Sequence, residues 1–275
     1  MKLQNLHTHT NFCDGANTPE EMVQAARLFG MDSLGFSGHS PLLPPLPGDW
    51  CMKAEQMEDY RKEVLRLREK YAGEVEIFLG LEQDALSPQP MDKYDYIIGS
   101  VHGLITPEGT LAAVDESQSA FCQAVEEHYG GDPLRFAESY YKEVGQVVQK
   151  TGCQIVGHFD LITKFNEGNW LFQVTHPRYQ KAALEALDQL AAENVVLEVN
   201  TGAMSRGYRK APYPEISLLR EMNRRKIPIC ITSDCHSAQT LVHGFTQAAR
   251  LAESCGYREC MYWTKQGFVP GPMPE

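Results

Sequence analysis

Short apolar runs alternate along the chain with stretches of helical spacing. Residues 3–7 read as a first strand. Thr18-Pro19-Glu20-Glu21 then opens a helix: Thr as N-cap, Pro at the first helical position, Glu three after the cap. That helix runs to about Phe29 and stops at Gly30. Further strands are predicted at residues 33–37, 75–81, 94–101, 154–157, 195–199 and 228–232. Further helices are predicted at about 55–71, 177–194, 214–226 and 238–255. In 177–194 the apolar residues at 183, 184, 187, 190 and 191 mark one buried face. Three segments break the rhythm. Pro44, Pro45 and Pro47 forbid regular structure in a loop too apolar to lie free, so 40–54 is expected to fold over something as a lid. Residues 104–150 form an insertion ending in one or two helices. The tail 267–275, with three prolines, is expected to be surface-bound or frayed.

Seven strands with intervening helices imply a parallel sheet in one domain spanning 1–275. Composition fits a soluble globular chain: 275 residues, 43% hydrophobic, 22% charged. No apolar run approaches the roughly 18 residues of a membrane span. The N-terminus runs straight into a strand pattern rather than a signal peptide, which reads as a cytoplasmic protein with no membrane partner. The net charge of −11 argues against a nucleic-acid partner but leaves room for a small phosphorylated substrate, since metal ions supply local positive charge. The eight cysteines contain no C-x-x-C pair and read as reduced, mostly buried thiols; Cys13 and Cys235 are bystanders.

The chemistry lies at the strand ends. His7-x-His9, His39, Glu82, His102, His158 and Asp234-x-His236 each follow an apolar run. One such histidine is usually a packing residue; six of the nine at equivalent places are not explained by packing. Alternation along an extended segment puts His7 and His9 on one side, where two nitrogens grip one ion. Asp14, five residues on, reaches a neighbouring ion. Glu82 can bridge two. Ligands at nearly every strand end favour a closed barrel over an open sheet, which would gather its site at one switch point. His128, His176 and His243 fall outside the pattern and read as surface or helix residues.

The ordered set H-x-H-T-x-x-x-x-D-G from His7, His39, Gly80-x-Glu82, Ser100-Val101-His102, Gly157-His158-x-Asp160 and Ser233-Asp234-x-His236 resembles the PHP family of bacterial DNA polymerases and histidinol phosphatases. Residues 157–165 and 198–202, the proline-containing loop after His39 and the insertion at 104–150 resemble its histidinol-phosphatase branch. The match spans about residues 3–240. It implies a distorted seven-stranded TIM-like (β/α)7 barrel holding three divalent ions, Zn, Mn or Fe, at the C-terminal ends of the strands. His7, His9, Glu82 and Asp234 would hold the first ion; Glu82, His102 and His158 the second; Asp14, His39 and His236 the third. Some family members carry His where Asp14 stands; the carboxylate makes that site harder.

The reaction implied is hydrolysis of L-histidinol phosphate to L-histidinol and phosphate, a late step of histidine biosynthesis, by a metal-bridging hydroxide attacking phosphorus in line. Lys164, Arg206 and Arg209 are the candidate phosphate binders. Asp160 is a candidate proton donor to the leaving alkoxide, or a carboxylate orienting a ligand histidine. Trp50 and Trp170 lie in loops near ligand segments, where packing is the plainer role. The rival readings are another small-ester or nucleotide phosphoesterase of the same family and a metal-binding module without turnover.

Overall fold

The computed structural model describes residues 2–42, 50–87 and 92–274. Seven strands lie side by side in parallel: β1 (Gln4–Asn5), β2 (Ser33–Phe36), β3 (Glu76–Asp84), β4 (Tyr96–Ser100), β7 (Ile155–Val156), β8 (Val196–Asn200) and β9 (Ile229–Thr232). Neighbours keep chain order throughout, as right-handed crossovers around a barrel require. The first and last strands meet through a parallel Thr8–Cys235 bridge. His9 N–H donates to Cys235 O at 2.9 Å, which nearly closes the ring.

The helices sit outside, each burying one stripe. α1 (Pro19–Leu28) starts on the predicted capping box, with Thr18 and Glu21 exchanging bonds. α2 (Met57–Lys70) turns Tyr60, Val64 and Leu67 inward. Its tyrosine reaches through the wall to donate to Gly80 O at 2.9 Å. The insertion contains a hairpin, β5 (Gly103–Ile105) with β6 (Leu111–Ala113), then α3 (Gln118–His128), α4 (Pro133–Val144) and α5 (Val147–Thr151). α6 (Pro177–Ala191) follows, its N-cap supplied by His176. The short α7 (Gly202–Ser205) and α8 (Ile216–Arg224) precede the last strand.

One expectation fails and another is narrowed to its first alternative, a surface-bound tail. The helix predicted over 238–255 is broken: a 3-10 turn, Ala238–Thr240, precedes α9 (Phe245–Ser254). Side chains take the carbonyls a continuous helix would use. Asn5 Nδ2 and Ser233 Oγ both donate to Leu241 O, and Thr201 Oγ1 donates to His243 O at 2.6 Å. Gly244, at φ +71°, restarts the helix. The tail is not frayed. β10 (Cys260–Thr264) and β11 (Gly267–Gly271) form an antiparallel hairpin. Met261, Trp263 and Phe268 pack on the barrel-filling residues Leu6, Phe78, Tyr96, Ile98, Ile155, Val196 and Cys230. Gln4 locks it by exchanging bonds with the backbone of Trp263. Pro270 lies within that ladder, opposite Met261, and Pro272 and Pro274 follow its end. Of the expected covering loop at 40–54, residues 43–49 lie outside the described residues. No helix among the described residues is long and apolar enough to cross a membrane.

Candidate metal centre

All nine predicted ligand side chains converge at the C-terminal mouth of the barrel, and Glu82 is at the centre. Its Oε2 lies 2.7 Å from His39 Nδ1, 3.2 Å from His7 Nε2 and 3.6 Å from His9 Nε2. Its Oε1 lies 3.0 Å from His158 Nε2 and 3.4 Å from His102 Nε2. Asp234 Oδ1 is 3.1 Å from His9 Nε2 and 3.7 Å from His7 Nε2. Asp14 stands to one side, 3.2 Å from His236 Nε2 and 3.7 Å from His39 Nε2. The atoms form four overlapping groups, each within 4.8 Å: His9, Asp14, His39 and His236; His7, Glu82 and His158; His7, His9 and Asp234; His39, Glu82 and His102. Asp234 adopts φ +44°, a strained conformation for a non-glycine residue, at the strand end where it is aimed into the cluster.

The donor set fits divalent cations. His7 Nε2, His9 Nε2 and Glu82 Oε2 are buried without a hydrogen-bond partner. Buried polar atoms in that state cost about 1–3 kcal/mol each unless something pairs with them. Burial, together with the neighbouring His236 and His39, lowers His9 to about 3, so its ring is neutral and offers a lone pair. Burial pushes the Glu82 carboxyl up, but His39, His7 and His102 outweigh it and hold it well below the ordinary range. Asp234 is held low against the same burial by Arg206 and His7. Three carboxylates ringed by six imidazoles are a nitrogen–oxygen site suited to Zn, Mn or Fe.

A cavity of about 350 Å³ opens over this cluster. His102, His158, Asp234 and His236 form its floor, and Trp50, Lys164 and Arg206 its walls. The Trp50 ring stands 4.8 Å from that of His39 and 5.2 Å from that of His102. Arg206 donates to Asp234 Oδ2 at 3.2 Å, and Lys164 to Asp115 Oδ2 at 2.9 Å. The two other predicted polar candidates do not line the cavity. Arg209 donates to Thr163 Oγ1 and lies 4.9 Å from the Tyr213 ring centre. Asp160 is fully buried, accepts from Glu215 N at 2.9 Å, and has its carboxyl raised by burial, with Arg209 opposing. Trp170 is half exposed and turned away, donating to Phe165 O. Burial pushes the Cys13 thiol up to about 12 and that of Cys235 to about 11, so both stay protonated beside the ligands.

Sequence reasoning missed the acids behind the ligands. Asp84 Oδ2 accepts from the backbone N of His102 at 2.8 Å and lies 3.1 Å from its Nδ1. Glu198 lies 2.9 Å from His7 Nδ1. Asp115, delivered by the β5–β6 hairpin, holds Lys164 at the cavity wall. The available signal was position: Glu198 sits inside an apolar strand run, where an unpartnered acid is too costly to keep, and Asp84 stands two residues past Glu82, on the same side of an extended segment.

Residues 5–202 match the PHP domain. The "Probable histidinol-phosphatase" of Deinococcus radiodurans is 31% identical over 261 residues, covering 92% of this chain and 93% of that one. The histidinol-phosphatase of Bacillus subtilis is 29% identical, covering 86% of this chain and 95% of its own. The barrel also superposes on the crystal structure of histidinol phosphate phosphatase from Lactococcus lactis, complexed with zinc, L-histidinol and phosphate. The TM-score is 0.69 at 18% identity, covering 98% of this chain and 99% of that one, a likeness of fold. Motif order, barrel topology and these matches agree: the chain belongs to the PHP family.

Proposed function

We propose that this protein is a metal-dependent phosphomonoesterase that hydrolyses L-histidinol phosphate to L-histidinol and phosphate, a step of histidine biosynthesis in the cytoplasm. The observation that carries the reading is the Glu82 carboxylate set among five imidazoles beneath an open cavity into which Arg206 and Lys164 reach. The names of relatives aligned over nearly the whole chain supply the substrate.

In this reading three divalent ions, Zn, Mn or Fe, are shared among the ligands. His7, His9, Glu82 and Asp234 hold one. Glu82, His102 and His158 hold the second. Asp14, His39 and His236 hold the third. Such ions lower the pKa of bound water and neutralise charge developing on phosphoryl oxygens. The chain's own groups do the rest. Arg206 and Lys164 face the ester's phosphoryl oxygens from the walls, each oriented by a carboxylate, Asp234 or Asp115. Trp50 covers the His39 and His102 rings and limits water there. Asp160 acts from behind the cavity by anchoring the Glu215 backbone, rather than as a proton donor.

The test is hydrolysis of L-histidinol phosphate, a nucleoside monophosphate and an aryl phosphate by protein loaded with Zn or Mn. A preference of about two decades in kcat/KM for histidinol phosphate, equivalent to about 2.7 kcal/mol of transition-state discrimination, is expected. Faster turnover of the nucleotide would reassign the substrate. Turnover of none would make the protein a binding module.

A further inference from the structure

Six of the seven barrel strands lead into a proposed metal ligand; β8 is the exception. It carries instead Glu198, fully buried and directly beneath the cluster. Its carboxylate is the meeting point of three other strands. Oε1 accepts from the backbone N of His158 at 2.6 Å, at the end of β7, and from Asn200 Nδ2 at 2.8 Å. Oε2 accepts from Thr232 Oγ1 at 2.7 Å, on β9. The remaining contacts are with His7 Nδ1, just past β1, which lies 2.9 Å from Oε2 and 3.2 Å from Oε1.

An ionised carboxylate only accepts, so His7 Nδ1 must carry the hydrogen. In the neutral ring the other nitrogen, Nε2, then turns its lone pair toward Glu82 Oε2 at 3.2 Å and Asp234 Oδ1 at 3.7 Å. Lone pairs facing carboxylate oxygens suit a cation between them; without a metal, a proton on Nε2 takes that place, and a bound ion would displace it. We propose that Glu198 is the positioning residue that fixes the His7 tautomer for metal binding, and that this is what β8 contributes to the site. The inference rests on the metal-binding reading above.

Glu198→Gln is a sharp probe because of the bonds around it. An amide nitrogen at the Oε1 place would meet two donors: the His158 backbone N, and Asn200 Nδ2, whose Oδ1 already accepts from Gly202 N at 2.8 Å. The nitrogen must therefore take the Oε2 place. There Thr232 can rotate its hydroxyl, and the amide N–H at the closer contact, 2.9 Å, turns His7 Nδ1 into an acceptor. The ring hydrogen moves to Nε2 and points at Glu82 and Asp234, which receive it well as long as no metal is present. The variant should lose metal affinity without losing its metal-free fold. An acid with only a structural role would produce the reverse.

The full chain, stripped by chelator, is titrated with Zn against a chromophoric competitor. E198Q is expected to bind its tightest zinc about 10- to 100-fold more weakly than wild type, the usual cost of losing such an outer carboxylate. Its stripped form should melt close to stripped wild type. Thr232→Val, which removes one bond to Glu198 but leaves His7 untouched, should bind zinc as wild type does. Wild-type zinc affinity in E198Q, or equal zinc losses in E198Q and T232V, would overturn the proposal and leave the metal-binding reading standing. Wild-type protein that takes up none of zinc, manganese and iron would overturn both. Should E198Q not fold, imidazole nitrogen shifts of zinc-loaded wild type decide the matter. His7 protonated at Nδ1 is expected; protonation at Nε2 refutes it.

Discussion

Arg206 and Arg209 sit three residues apart in one loop, and neighbours divide their work. The Arg206 guanidinium reaches Asp234 and the cavity, whereas that of Arg209 is spent on Thr163 and the Tyr213 face. A charge-assisted hydrogen bond to phosphate contributes about 1.5–3 kcal/mol. Arg206→Ala is therefore expected to lower kcat/KM for the phosphate ester by about one to two decades. Elemental analysis of the variant checks that the metals are retained. Arg209→Ala should be read in the melting temperature, because it removes the positive charge that opposes burial at Asp160. An equal fall in kcat/KM at unchanged stability would return Arg209 to the phosphate site. The sequence made candidates of both, since Arg type and loop position look alike from outside. The nitrogens of His7 and His9 were legible because i, i+2 spacing has one geometric meaning in an extended chain. The partners of Lys164 and His7 were not, because Asp115 and Glu198 come from distant segments and no local period announces them.

At the scale of elements, the barrel interior is organised by Tyr96 on β4. Its side chain crosses the barrel, donates to Leu6 O and lies against Gly35 on β2 and Gly80 on β3. A Cβ at Gly35 would run into the Tyr96 hydroxyl, and one at Gly80 into the ring itself. Overpacking of this kind typically costs about 1–3 kcal/mol. Gly80→Ala is expected to lower stability by about that amount in denaturant unfolding. Tyr96→Phe should recover part of the loss in Gly35→Ala and little in Gly80→Ala, because only the first clash begins at the hydroxyl. If both glycine variants unfolded like wild type, the interior would be looser than described. Elements with strong local signals, such as the Thr18 capping box and the stripe of α6, were readable in advance. The hairpin at Cys260–Gly271 was not. Its prolines spoke for irregularity, and only the exposed end of a barrel needing Trp263 and Phe268 as cover argues otherwise.

For the whole molecule, the closed architecture was inferable from ligands at nearly every strand end, a pattern an open sheet cannot place around one mouth. The metals and the fold should then be energetically linked. At a thousandfold excess over Kd, one bound ion adds about 4 kcal/mol, and for chains of this size about 2–4 °C accompanies each kcal/mol. Chelation is expected to lower the Tm by on the order of 10 °C, with recovery on adding Zn or Mn. An unchanged Tm in scanning calorimetry would separate the site from the scaffold.

The seam between the first and last strands gives that linkage a direction. A short backbone bridge, Thr8 with Cys235, and the bonds Asn5 exchanges with Ser233 join them, and His7, His9, Asp234 and His236 flank the bridge from both sides. A cation gripped there would act as the clasp of a hoop, tying together chain ends more than two hundred residues apart. The reacting centre would then also be the last rivet in the wall that shelters it.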